Sequence, residues 1–394
     1  MFQTLKAQAP DKILSLMQAY KADDRDTKID LGVGVYKDAS GNTPVMRAVK
    51  EAERRLVAEQ TTKAYTGLAG DPAFADAMID LLLADTVQRG RIAAIATPGG
   101  TGAIRQALEM VKLAAPGATI WISNPSWPNH ASIIKFLGLP LREYRYFNEA
   151  TRGVDFDGMI ADLSTVAEGD VVLLHGCCHN PTGANPTLDQ WDQIIATLQK
   201  VQAVPFVDVA YQGFGDGLDQ DAQATRKIAA AFPNVMIAAS CSKNFGIYRE
   251  RTGILMGIAR DADEAKLTQA NLNFLNRQNY SFPPDHGARV VTTILTDPAL
   301  RADWEAELEE TRNGMLGLRK QLADELRQRA NDDRFDFIAD HRGMFSRLGT
   351  TEAKVEILRA DHGIYMVSDS RMNIAGLNAE TVPILAQAIV DAGI

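Results

Sequence analysis

Three stretches of the chain end an apolar run on residues that could do chemistry. LLHGCCHNPTG carries Asn180, VPFVDVAYQG carries Asp208 and Tyr211, and MIAASCSKNFG carries Ser240, Ser242 and Lys243. Asp208 follows the apolar run VPFV, so its carboxylate is expected to be buried and to need a cationic or donor partner. Alone, that describes a structural salt bridge. Lys243 sits in a serine-flanked loop, and most lysines in such loops are simply solvated.

The pairing changes the reading. A desolvated lysine is a Schiff-base nucleophile. A pyridoxal-phosphate (PLP) enzyme needs that lysine together with an acid at the pyridine nitrogen of the cofactor. An ionised Asp208 would keep that nitrogen protonated, so that the ring could accept carbanion electrons. A phosphate site is also at hand. TPGGTGAIRQALEM (97–110) is a Gly-rich turn opening a helix, where Gly99, Gly100 and Thr101 present backbone N–H groups and a hydroxyl. It is neither a G-x-G-x-x-G nor a Walker A pattern, and such a turn can be only a tight turn.

Other residues fit recognition. Arg251 in NFGIYRERTG and Arg371 in SDSRMNIAG carry planar guanidinium groups suited to bidentate carboxylate or phosphate binding. Taken singly, each reads first as an arginine at the surface or core edge. Trp127 in NPSWPNH reads either as a core aromatic or, because flanking prolines place it on a loop, as an exposed indole of the kind that more often serves recognition. His130 reads as a structural hydrogen-bonding histidine, and Cys177 and Cys178 as buried small hydrophobes.

These residues need a scaffold. The runs 91–97, 118–123, 170–176, 204–210 and 234–240 are apolar and rich in β-branched residues, and they alternate with helical stretches such as 102–114 and 188–201. That rhythm predicts a parallel sheet covered on both faces. Ligands of such sheets bind beyond the carboxyl ends of the strands. The segment 304–330 reads as a long amphipathic helix leading into short strands around FDFIAD, GMFSRLG and IYMVSD, a smaller α+β domain with which DLGVGVYKD (30–38) could pack.

Bulk properties narrow the field. The chain has 394 residues, 46% hydrophobic and 23% charged, with a net charge of -9. An acidic chain without a Lys/Arg block argues against nucleic acid or an anionic membrane as partner. The start, MFQTLKAQAPDKI, has no apolar signal core, and no apolar run reaches the length of a membrane span. Three cysteines make no disulfide framework, so a reducing cytoplasm fits best.

As a set, DLGVGVYKD, TTKAYTGLAG, TPGGTGA, NPSWPNH, HGCCHNPTG, FVDVAYQGF, SCSKNFGIYRER, NRQNYSFPP, GMFSRLG and SRMNIAGL resemble the class I aminotransferases of PLP fold type I. Within that class they are similar to the aspartate and aromatic amino acid subgroup, and in particular to its alphaproteobacterial aromatic members. The resemblance implies an α/β fold: a large domain (46–310) with a mostly parallel seven-stranded sheet, a small α+β domain (12–45 and 311–394), and an N-terminal arm (1–11). It implies Lys243 as the PLP lysine and the base of the 1,3-proton shift, and Asp208 as the partner of the pyridine nitrogen. Asn180 and Tyr211 would hydrogen-bond the ring hydroxyl and lower the pKa of the lysine–cofactor linkage. Gly100, Thr101, Ser240 and Arg251 would hold the phosphate, with Gly99 and Ser242 beside them and Tyr65 reaching in from a second subunit. Trp127 would stack on the ring. Arg371 and Gly34 would fix the substrate α-carboxylate, with Trp127 and Asn180 adjoining. Arg277 of the second subunit would bind the distal carboxylate of aspartate or glutamate, so the resemblance implies a homodimer with shared active sites.

Two residues depart from the strict aspartate pattern, Ala64 in TTKAYTG and Phe282 in YSFPP, each where an Asn is usual. Both make the entrance less polar. The expected reaction is therefore ping-pong transamination of aromatic or dicarboxylic amino acids with 2-oxoglutarate or oxaloacetate, with strict aspartate specificity as the alternative. A nicotinamide-dependent oxidoreductase lacks its G-x-G-x-x-G here. A non-catalytic regulator on this fold would carry an added DNA-binding region for which the chain has no room.

Overall fold

The computed structural model describes residues 1–8 and 10–394. The chain forms two compact units, Pro44–Gly314 and a second made of Met1–Thr43 with Met315–Ile394. In chain order the strands are β1 (Ile29–Asp30), β2 (Ile92–Pro98), β3 (Ile120–Asn124), β4 (Leu141–Arg145), β5 (Val171–His175), β6 (Val204–Val209), β7 (Val235–Ser240), β8 (Thr252–Ile258), β9 (Phe345–Arg347), β10 (Ile364–Tyr365) and β11 (Arg371–Asn373).

Among the described residues, seven strands of the larger unit form one sheet in the order β2-β8-β7-β6-β5-β3-β4. The β3–β4, β3–β5, β5–β6 and β6–β7 pairs are parallel, whereas β8 runs antiparallel to both β7 and β2. Every residue of β5 is buried, as expected of a strand covered on both faces. All five apolar runs named above form strands. Two more strands were less legible. β4 (LREYR) is an edge strand whose charged residues mask the strand pattern. In β8 (TGILMGI), glycines at two positions weaken the signal.

Helices cover the sheet. Thr187 and Gln190 form a capping box at the start of Leu188–Lys200, and Trp191, Ile194, Ile195 and Leu198 recur at helical spacing to bury one face. Among the described residues, no helix is long and apolar enough to cross a membrane.

In the smaller unit, β1 pairs in parallel with β10 and β9 pairs antiparallel with β11. DLGVGVYKD therefore joins this unit at its first residue, with Asp30 opposite Tyr365 next to Ile29 opposite Ile364. GMFSRLG and IYMVSD supply strands, but FDFIAD does not. It forms a turn and a short helix, Phe337–Asp340, because Phe335 and Ile338 are buried at a helical spacing of three. The expected helix 304–330 begins earlier and runs over Pro298–Ala330.

Candidate active site

The sheet gathers the candidate residues at one edge. β5 and β6 are paired so that His175, the last residue of β5, lies opposite Asp208, the residue before the end of β6. β7 ends at Ser240, three residues before Lys243. Because β8 is antiparallel, its beginning lies at that same edge, and Arg251 immediately precedes it. β2 ends there too, with Thr97 opposite Gly253 and Pro98 opposite Thr252, and the helix Gly99–Ala114 starts directly afterwards.

Asp208 is buried, and His130 donates a hydrogen bond from Nε2 to its Oδ2 at 3.0 Å. Burial by itself pushes this carboxyl upward. The hydrogen bond from His130 outweighs that push, with His130, His175 and Lys243 adding to it electrostatically, so Asp208 sits below its ordinary range. Behind it runs a relay of donors. His175 Nε2 lies 3.2 Å from the Ser126 hydroxyl, which lies 2.9 Å from His130 Nδ1. One proton arrangement satisfies all three contacts: His175 donates to Ser126, Ser126 to His130, and His130 to Asp208. His179 continues the stack, 4.2 Å from the His175 ring and 3.8 Å from the Tyr146 ring, centroid to centroid. Burial, with the His130 charge adding, pulls His175 down to about 3. Burial, with His175 and His130 adding, also holds His179 well below its ordinary value. Both rings are therefore neutral around pH 7 and hold their neighbours by hydrogen bonding and packing. His130 is thus the hydrogen-bonding histidine expected from the sequence, and its partner is the candidate carboxylate Asp208.

Lys243 is half-buried, and its amine lies 4.7 Å from the centroid of the Tyr211 ring. Desolvation pulls its pKa down to about 8, with Asp208 opposing and Arg251 assisting. Asn180 and Tyr211 are both buried, and Asn180 Nδ2 donates to the Tyr211 hydroxyl at 3.5 Å. Trp127 sits at the N-cap of the helix Pro128–Leu137, edge-on to His130 at 5.2 Å.

The start of the helix Gly99–Ala114 has the makings of an anion cradle. Gly99 has φ +71, and a Cβ there would lie 2.7 Å from Arg251 Nη2. A Cβ at Gly100 would lie 2.9 Å from the Cβ of Ser240. Ser240 Oγ in turn accepts from the Ser242 N–H at 3.2 Å. Glycine at both positions lets a guanidinium, a serine and bare N–H groups converge on one spot. A cradle that a methyl group would fill, a buried carboxylate at the strand edge and a desolvated lysine fit the phosphate, pyridine nitrogen and aldehyde of PLP.

In the smaller unit, Arg371 is buried at the start of β11. Its Nη2 donates to the Gly32 carbonyl at 3.0 Å, and its guanidinium lies 4.3 Å from the Phe345 ring centroid. Gly34 faces that same ring, where a Cβ would come within 2.9 Å of Phe345 Cζ. The ring is placed by Arg319, a fully buried arginine that the sequence did not single out. It donates to the carbonyls of Ile338, Gly343 and Phe345 and to Ser346 Oγ, at 2.7 to 3.1 Å.

Tyr65 and Arg277 are both exposed in the larger unit. Tyr65 stacks on Phe282 at 4.7 Å, and the Arg277 guanidinium lies 5.8 Å from the same ring. Ala64 is exposed beside Tyr65. Cys178 is buried as expected, but Cys177 is only partly so. Cys177, Cys178 and Asp221 lie close together, yet the Asp221 carboxylate is occupied by the N–H groups of Gly213, Gly215 and Asp216, which makes it a loop staple.

Comparison with known proteins agrees with this chemistry. The family described as aminotransferase class I and II matches residues 26–389. The aromatic-amino-acid aminotransferase of Paracoccus denitrificans is 60% identical over the full length of both chains. The aspartate aminotransferase of Salmonella typhi is 43% identical over 99% of each. A solved aromatic-amino-acid aminotransferase from Burkholderia pseudomallei, described as covalently bound to pyridoxal phosphate, superposes with a TM-score of 0.97 at 39% identity, covering 100% of this chain and 99% of that one. With its family matched along nearly the whole sequence, this chain belongs to the class I and II aminotransferases, PLP-dependent enzymes that act on small molecules.

Proposed function

We propose that the chain transaminates aromatic and dicarboxylic L-amino acids with 2-oxoglutarate or oxaloacetate, as a cytoplasmic homodimer with shared active sites. The observation that carries the reading is the convergence of Lys243, Asp208 and the Gly99–Gly100 cradle on one edge of one sheet. Bound PLP supplies an aldehyde for the substrate amino group and a protonated ring that accepts the electrons released at Cα. Lys243, with its pKa near 8, gains and loses a proton easily around neutral pH and serves as the base at Cα. Asp208, held as a carboxylate by the His130 relay, pairs with the pyridine nitrogen. Asn180 and Tyr211 serve the ring hydroxyl, and Trp127 stacks on the ring. Gly99, Gly100, Thr101, Ser240, Ser242 and Arg251 hold the phosphate, joined by Tyr65 of the second subunit. Arg371 binds the α-carboxylate beside Gly34.

The breadth of substrate rests on Arg277, Phe282 and Tyr65. A guanidinium beside two stacked rings offers a charge for a distal carboxylate and an apolar wall for an aromatic side chain. Arg277→Ala should therefore cost aspartate about 2–5 kcal/mol in kcat/KM, the loss of a charge-assisted pair, while phenylalanine changes little. A panel of amino acids with 2-oxoglutarate as acceptor measures this. Equal losses for aspartate and phenylalanine would rule out the division of labour.

A further inference from the structure

The helix that carries Arg277, Ala262–Asn279, is fastened by the residue just before that arginine. Asn276 is completely buried. Its Nδ2 donates to the Leu68 carbonyl at 2.8 Å and to the Ala96 carbonyl at 3.3 Å. Its Oδ1 accepts from Gln106 Nε2 at 2.7 Å and from the Tyr280 hydroxyl at 2.5 Å. Both donors and both acceptor positions of the amide are thus used. A flipped amide would set its oxygen against two carbonyls, so the network fixes the orientation. Gln106 extends the network, accepting from Asn279 Nδ2 at 2.9 Å.

Four segments meet at this one side chain. They are the turn Gly67–Gly70 just after Tyr65, the end of β2, the helix that begins at the phosphate cradle, and the end of the helix bearing Arg277. The turn is already pressed onto β2: Gly70 has φ +91, and a Cβ there would lie 2.7 Å from the Ala96 Cβ. Ala96 N–H also donates to the Ala69 carbonyl at 2.8 Å. Arg277 itself is exposed, with Nη1 donating to Ser281 Oγ at 2.6 Å. A long exposed side chain takes its aim from its backbone, and a fully satisfied buried network makes that backbone rigid.

From this geometry we propose that Asn276 is a positioning residue for the distal-carboxylate subsite: its buried amide fixes the Arg277 backbone against the Tyr65 turn and the cradle helix. The proposal rests on the reading of Arg277 as the group that binds the distal carboxylate. The test uses the PLP-loaded enzyme, wild type and the variants Asn276→Ala, Tyr280→Phe, Arg277→Ala and the Asn276→Ala/Arg277→Ala double. Rates with aspartate and phenylalanine are measured, and binding of succinate, a non-reacting dicarboxylate, is followed by calorimetry.

Asn276→Ala should weaken succinate and raise the aspartate KM by about tenfold or more, the scale of a misplaced binding group. Its kcat, and both constants for phenylalanine, should stay close to wild type. Tyr280→Phe, which removes one donor to the amide, should move succinate binding in the same direction by a smaller factor. The double variant should bind succinate no more weakly than Arg277→Ala, because the amide acts through the arginine. Equal losses for both substrates, or a full additional loss in the double, would reduce Asn276 to a fold-holding residue and overturn the proposal. Should Asn276→Ala fail to fold, unchanged succinate affinity in folded Tyr280→Phe overturns it. Normal succinate binding by Arg277→Ala is a different failure: it sinks the assignment of Arg277 and this proposal with it.

Discussion

At the scale of single residues, the depressed pKa of Lys243 is the most consequential feature. Burial favours the neutral amine, and the neutral amine is the nucleophile that captures an aldehyde cofactor. Below about pH 8 the reactive fraction shrinks roughly tenfold per pH unit; above it the fraction saturates. The rate of PLP capture by cofactor-free protein, followed by stopped-flow absorbance between pH 6 and 10 with phosphate held constant, should rise and level off near pH 8. A profile still rising at pH 10 would mean an ordinary solvated lysine. Borohydride reduction after capture should leave the cofactor on Lys243, and label on any other lysine sinks the assignment. The same shift bears on stability. The unfolded lysine holds its proton up to about 10.5, so between about 8 and 10.5 the unfolded state binds more protons, and the cofactor-free fold gains stability as pH rises through that window.

At the scale of elements, the cradle shows how strand direction builds a site. Had β8 run parallel to β7, Arg251 would lie at the opposite edge; its reversal brings the guanidinium over the start of the helix Gly99–Ala114. Gly99 makes that approach possible. Gly99→Ala must place an alanine at φ +71, at a cost of about 1 kcal/mol, and must displace Arg251 from a position 2.7 Å from the new methyl. Its PLP dissociation constant should rise about tenfold or more, measured by equilibrium dialysis. Gly117→Ala, just beyond the same helix and with nothing within 4 Å, is the control and should leave affinity unchanged. Wild-type affinity in Gly99→Ala would show that the turn does not hold the phosphate.

At the scale of the whole molecule, the proposed shared site makes a demand that one chain cannot meet. A two-fold dimer can build two identical sites at its interface. Lys243→Ala and Arg277→Ala homodimers should each be poor with aspartate. If the two residues serve one site from different chains, a hybrid dimer holds one site with both defects and one with neither. Co-refolding should then restore aspartate turnover well above either parent. Hybrids verified by native mass spectrometry that restore nothing would overturn the shared site.

Local pattern alone dictated the alternation of strands and helices and placed Asp208 and Ser240 at, and Asn180 and Lys243 a few residues beyond, the ends of strands. Apolar runs and their polar termini are local patterns, and chain order alone sets them. It also marked the Gly99–Gly100 turn. What it left undecided depends on residues far apart in the chain. FDFIAD is helical because Phe335 and Ile338 pack into the small unit's core, a demand invisible in six residues. β4 is a strand because β3 offers it an edge. His130 reads from the sequence as a hydrogen-bonding histidine, but only the fold names its partner, Asp208, and only the pairing of β5 with β6 sets His175 level with that carboxylate. Arg319 and Asn276 gave no signal at all. A buried arginine or asparagine is recognised by the carbonyls it satisfies, and those carbonyls are brought to it by segments that only tertiary packing assembles.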